Sequence, residues 1–169
     1  MSTLITTTAQ IGTIKDAGGN NTAMTIDSTG RILQPNKPAF SCEGTNYTQG
    51  TGVAVILPNS MLLNVNNCFN ASNGRFTAPI AGNYIFGFWG LSYNHTTEVN
   101  SMMYHKNGNA SGAGDLVQFG HTSNGHFMAS GGVFVPLSAS DYVELTYNRT
   151  SGAGGAWNSQ WNMWGYLVS

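Results

Sequence analysis

The chain has 169 residues and a formal net charge of −1, enough length for one domain with a proper core and an appendage. Only 8% of its residues are charged, against roughly a quarter in ordinary soluble domains, so the basic footprint of a nucleic-acid or anionic-membrane binder is excluded. No apolar run approaches the roughly 18 residues of a membrane-spanning helix, and no membrane insertion is expected.

The opening, MSTLITTTAQIGTIK, lacks the apolar stretch of a signal peptide. We therefore expect a protein made in a cytosol and released, if at all, by assembly or lysis. Residues 3–33 alternate short apolar fragments, such as Ile11, Ile14 and 23–26, with turn clusters at 18–21 and 27–30. Large apolar residues are too few there to offset the ordering entropy of a free-standing core. The segment reads as a β-rich stalk or anchor that gains order by docking or by twining with other copies. Gln34-Pro35-Asn36-Lys37-Pro38 is a two-proline connector and divides the chain into residues 1–37 and 38–169.

Beyond it, residues 39–42 read as a strand, 43–52 as a polar loop, 53–57 as a β-branched strand stopped by Pro58, and 61–65 as another strand. Asn73-Gly74 makes a turn, 75–78 a short strand broken at Pro79, and Ala81-Gly82 a second turn. Residues 83–89 then alternate with no polar face. Tyr84, Phe86 and Phe88 point one way; Ile85 and Trp89 point the other, with Gly87 between them. An antiparallel strand buried on both sides meets a core on one face and another subunit on the other. Further strands follow at 98–105, 116–120, 127–137 and 142–148, with turns at Asn107-Gly108-Asn109 and Ala139-Ser140-Asp141 and a flexible loop at 151–155. The last strand, 161–168, repeats the doubly apolar pattern: Trp161, Met163 and Leu167 against Trp164, Tyr166 and Val168. Strand signals every 8–12 residues or so, without an amphipathic helix, make this an all-β sandwich. Two doubly apolar strands point to a closed oligomer.

Chemistry is sparse. Cys42 and Cys68 read as small buried thiols rather than a disulfide. His95, His105, His121 and His126 lack metal-ligand spacing and read as surface or loop residues, so no metal is assigned, nor any other cofactor. The seven carboxylates form no pair suited to glycoside hydrolysis, and no nucleophile, phosphate or dinucleotide motif occurs. Asp141 reads as a turn residue bonding backbone amides. The six N-x-S/T sequons are expected to stay bare. The chain is read as non-enzymatic. Trp157, in a Gly/Ala/Asn loop beside Asn158, suits stacking on a sugar ring; the alternative is packing at the loop base or on a neighbouring subunit. Trp89, Trp161 and Trp164 read as core or trimer-interface residues.

Residues 73–86, NGRFTAPIAGNYIF, resemble the central signature of the globular head of complement component one, subcomponent q, which runs Gly-x-Phe-x-x-Pro, two residues, Gly-x-Tyr-x-Phe. Asn64 and Phe69 sit where that family often has Asn and an aromatic residue. Lys106-Asn107-Gly108 resembles its mid-domain turn, Ser140-Asp141-Tyr142-Val143 its Gly-Asp-x-Val segment with Ser for Gly, and Trp164-Gly165-Tyr166-Leu167 its closing strand. The likeness runs in order from about Pro38 to Ser169. It implies a ten-stranded jelly roll of two five-stranded sheets, assembled as the compact homotrimer shared with the tumour necrosis factor superfamily.

No collagen-like Gly-X-Y repeat accompanies it, so the secreted animal branch is not expected. The leader instead resembles those of tailed-bacteriophage virion proteins, where a TIDSTGRI turn followed by PNKPAF introduces such a head. The combined expectation is a phage virion structural protein made in the host bacterial cytoplasm: a trimeric short fibre, knob or capsid decoration. Residues 1–37 would dock on other virion proteins and the head would suit adhesion to host-surface glycan. The alternative is a free-standing lectin-like or cytokine-like trimeric binding protein.

Overall fold

Alternating apolar residues punctuated by Gly, Pro and Asn turns leave this chain little but strands to form. The computed structural model describes residues 12–20, 22–45, 47–48, 52–95, 100–108, 115–121, 125–149, 156–157 and 160–169; for 47–48, 92–95, 100, 115–121, 125–127, 129, 149 and 156–157 it describes the backbone alone. No helix occurs among the described residues. The chain divides into two compact units, Met1–Lys37 and Pro38–Ser169.

In the first unit, β1 (Thr13–Lys15), β2 (Thr22–Ile26) and β3 (Ile32–Leu33) form an antiparallel sheet in that order. The β2–β3 turn satisfies its own polar groups. Asp27 Oδ1 accepts from the amides of Thr29 and Arg31 at 2.9 and 3.0 Å, and Oδ2 accepts from Arg31 Nε at 2.7 Å. Ile14, Ile26, Ile32 and Leu33 remain exposed.

The second unit is a sandwich. Its first sheet has the order β13 (Gly125–Leu137), β10 (Gly82–His95), β16 (Trp161–Leu167), β4 (Ala39–Gly44), β7 (Ser60–Val65). The second has the order β12 (Asp115–His121), β11 (Asn100–Lys106), β14 (Tyr142–Arg149), β9 (Arg75–Thr77), β8 (Phe69–Asn70), with β6 (Gly52–Val55) also on β14. A separate ribbon pairs β5 (Tyr47–Thr48) with β15 (Ala156–Trp157). Where two five-stranded sheets are expected, one sheet has five strands and the other six among the described residues. The reason lies in one edge of β14, where β9 takes residues 142–144 and β6 takes 146–149, so two short strands share one lane. The ladder from β4 also runs two residues beyond the expected stop at 42, and β5 interrupts the expected loop 43–52.

Pro38 opens the head because its carbonyl already accepts from the Leu167 amide at 2.9 Å, extending the β4–β16 ladder. Between the sheets lies an aromatic core. Phe76, fully buried, meets Phe86, Tyr84 and Phe40 at ring separations of 5.1, 5.3 and 5.5 Å, and Phe40 stacks on Phe69 at 4.5 Å. Such pairs add about 0.5–1.5 kcal/mol each beyond their burial. A hydrogen bond crosses between the sheets, from Tyr104 Oη to the Gly87 carbonyl at 2.8 Å. Asn64 supplies a piece of strand-like pairing: its amide donates to the Phe69 carbonyl at 2.9 Å and accepts from the Phe69 N–H at 3.0 Å. Cys42 and Cys68 are buried free thiols, and burial pushes Cys42 up to about 12.

Candidate binding surface

Strand alternation sorts the doubly apolar strands into an inner and an outer set. Tyr84, Phe86 and Phe88 on β10, and Trp161, Met163 and Leu167 on β16, face the core. Ile85, Trp89, Trp164 and Tyr166 face outward from the five-stranded sheet. Register then arranges the outer residues in rows across the strands. One row runs Phe134, Ile85, Tyr166, Ala39, Val65; the next Gly132, Gly87, Trp164, Ser41, Leu63; the third Ser130, Trp89, Asn162, Glu43, Ser60. The first row is apolar and the third is polar apart from Trp89, while the next outward pair on β10 and β13, Leu91 and Met128, is apolar again, with Met128 68% exposed. Phe134 is 57% and Tyr166 43% exposed. Trp164 stacks on Tyr166 at 6.2 Å and lies over the backbone at Gly87, where a Cβ would come within 2.3 Å of the indole. Only glycine admits that ring.

Beside the third row a cavity of about 370 Å³ opens where β16 begins. Trp89, 41% exposed, forms one wall from the outer face. Trp161, buried in the core, forms another, its indole laid flat on Gly44, where a Cβ would fall 2.4 Å from the ring. Glu43, Asn59, Ser60 and Gln160 complete the rim. Asn59 is oriented by accepting the Thr45 amide at its Oδ1, 2.7 Å away, which leaves its NH₂ for other partners. Trp161 Nε1 is a buried donor with no acceptor among the described residues.

The sequence reading of Trp89, Trp161 and Trp164 as core or interface residues divides here. Trp161 is core, Trp164 lies outward, and Trp89 walls the cavity. The backbone of Trp157 pairs with Tyr47 in the β5–β15 ribbon, but its side chain and Asn158 lie outside the described residues. The cavity's polar rim was missed. Glu43 falls in the segment expected to be a loop, and it turns outward once the 39–42 alternation is extended by one residue. Asn59, Ser60 and Gln160 carry no local signal.

The opposite sheet corrects a second expectation. His105 is not a surface or loop residue: it is fully buried on β11, with Nε2 2.6 Å from Thr146 Oγ1. Beside it Glu144, nearly buried, accepts from Arg75 Nε at 2.8 Å, and Arg75 lies 4.2 Å over the Tyr142 ring. The backbones of His95, His121 and His126 fall in β10, β12 and β13. Among the described residues no three His, Cys, Asp or Glu side chains converge as a metal site.

Comparison with known proteins gives a single picture. Residues 39–168 match the family model of the C1q domain. The chain is 27% identical over 141 residues to a complement C1q subcomponent of Mus musculus, covering 82% of this chain and 53% of that protein; it spans about half the relative's length. The globular domain of zebrafish complement 1qA protein superposes with a TM-score of 0.57 at 21% identity, over 79% of this chain and 98% of that one. Murine APRIL, crystallised at pH 5.0, gives a TM-score of 0.57 at 9% identity, over 78% and 99%. At these identities the structural likeness concerns the fold alone.

Proposed function

The chain belongs to the C1q domain family, and from that premise we propose that it is a non-enzymatic binding protein that works as a homotrimer. Domains of this family are generally binding modules without catalysis and typically form homotrimers. The observation that carries the reading for this chain is the outward row Phe134, Ile85, Tyr166, apolar yet open in the single subunit. A patch of this kind marks an interaction surface. Burying what is still exposed of Phe134 would contribute about 1–2 kcal/mol per subunit. Mass measurement in solution is the test: about three times the 18.0 kDa of the chain is expected, and a monomer at micromolar concentration would overturn the trimer.

We further propose that the trimer is a tailed-phage virion protein, a short fibre, knob or capsid decoration held to its particle by residues 1–37. Support comes from the leader's resemblance to such proteins and from the exposed Ile14, Ile26, Ile32 and Leu33, which offer apolar surface to another virion protein. Deleting residues 1–37 is expected to leave a soluble trimer that no longer incorporates into particles. A second reading, a free-standing lectin-like or cytokine-like trimer, is supported by the relatives themselves, one of them a complement subcomponent. Under it the same deletion leaves ligand binding intact and no particle association exists to lose.

A further inference from the structure

We propose that the cavity at the start of β16 is a saccharide site, taking one neutral sugar ring stacked on Trp89. The proposal rests on the chain being a binding head and holds equally for a particle-bound or a free one. Its volume of about 370 Å³ falls within the roughly 300–1,000 Å³ of small-ligand pockets. Trp89 offers a partly exposed indole as an apolar platform for the C–H face of a sugar, in a cavity that polar side chains also line. That rim has the chemistry of hydroxyl recognition. The Glu43 carboxylate accepts, the Asn59 and Gln160 amides donate and accept, and the Ser60 hydroxyl does both. Among the described residues, none of Glu43, Ser60 and Gln160 uses its side chain on an intramolecular partner, and the Asn59 NH₂ has none either. Among the described residues, four polar groups from three strand ends thus converge on one cavity with bonding capacity to spare.

Trp161 supplies an independent observation. Its side chain is 2% exposed, yet Nε1 has no acceptor among the described residues. A buried donor without a partner costs about 1–3 kcal/mol, so such groups call for a reason. Trp161 lines the cavity, and Cε2, the ring carbon bonded to Nε1, is among the atoms nearest the Cβ position of Gly44, another lining residue. A sugar hydroxyl seated there can accept from it after a small adjustment of the wall. Charge sets the class of sugar. Among the described residues of the rim the only acidic or basic side chain is Glu43, so neutral rings are favoured and sugars bearing a carboxylate are repelled.

The test uses the full chain and ligand-observed NMR with methyl hexosides, methyl N-acetylhexosaminides and N-acetylneuraminic acid as probes, with mass measured alongside. A neutral probe is expected to bind the wild type, Glu43→Gln and Trp89→Ala each to weaken it about tenfold or more, and Ser60→Trp, which fills the cavity, to abolish it. The acidic probe is expected to bind at least tenfold more weakly than the neutral one. Binding of a neutral sugar that survives all three substitutions overturns the site while leaving an adhesive head in place. Failure of every neutral probe to bind, or equal binding of the acidic one, overturns the proposal outright. A trimeric mass with no sugar binding leaves the trimeric reading standing, so the two fail separately.

Discussion

Ser140 holds a φ of 72°, the left-handed region that costs a side chain with a Cβ about 1–2 kcal/mol. Glycine avoids that cost but loses more chain entropy on folding, so Ser140→Gly is expected to raise stability by about 0.5–1 kcal/mol, read as a small rise in Tm. This gives physical content to a departure visible in the sequence, where Ser stands at the Gly of the Gly-Asp-x-Val pattern. Its neighbour Asp141 is the keystone of the same turn. Asn107 donates to Oδ1 at 2.8 Å, Lys106 lies 2.8 Å from Oδ2, and the Ser138 amide donates to Oδ2 at 2.8 Å. These bonds, the Asn107 contact foremost, hold the carboxyl at about 2 against an ordinary 3.8. A depressed carboxyl stabilises the fold above its unfolded value and ceases to do so as pH falls through its folded value. The stability gap between the protein and Asp141→Asn is therefore expected to be constant at neutral pH and to close between about pH 4 and pH 2. Thermal melts of both across that range check it, and a gap that does not change with pH would show that the charge is idle.

At the scale of the element, β10 governs. Gly87 sits where the Trp164 indole crosses it on the outer face and where its carbonyl receives Tyr104 from the inner one. A Cβ there would lie 2.3 Å from Cζ2 and 2.6 Å from Cε2 of Trp164. Gly87→Ala is expected to lift the indole off the sheet, cost about 1–3 kcal/mol, and shift tryptophan emission to the red. Adding Trp164→Val should recover much of the loss, because the two side chains are coupled by direct contact. Failure of the second change to restore stability would place the damage in the backbone. The phase of β10 was legible from alternation alone, since period two admits only two faces. Which face is core was not: both are apolar, and only the rings of Phe40, Phe69 and Phe76, brought in from distant strands, decide it. His105 shows the same limit. Its neighbours in sequence are Tyr104 and Lys106, but in the sheet it lies between Asp115 of β12 and Glu144 of β14, a placement no local pattern announces. The sugar-site rim is less legible still. Glu43, Asn59 and Gln160 come together only because β4, β7 and β16 end at one corner.

For the whole molecule the decisive contrast lies between residues that hold one subunit and residues that would hold three together. Phe76 has no exposed surface and rings on every side, so Phe76→Ala is expected to cost about 3–5 kcal/mol and lower Tm whatever the assembly. Phe134 is the reverse case. At 57% exposure on the edge strand β13 of the five-stranded sheet, it contributes little to the isolated subunit, where a surface exchange stays within about 0.5 kcal/mol. In the proposed trimer it is covered three times over. Phe134→Glu would then remove apolar burial from each subunit and oblige three carboxylates to leave water without partners, a cost of several kcal/mol per charge. The expected outcome is a folded monomer at micromolar concentration, with far-UV circular dichroism unchanged and the mass reduced threefold in light scattering. Because residues 130, 89, 162, 43 and 60 form a row of their own, two rows away from Phe134, that monomer should still bind a neutral sugar. Retention of a trimer by Phe134→Glu would move the trimer interface off this row and sink the assignment of the outer apolar face.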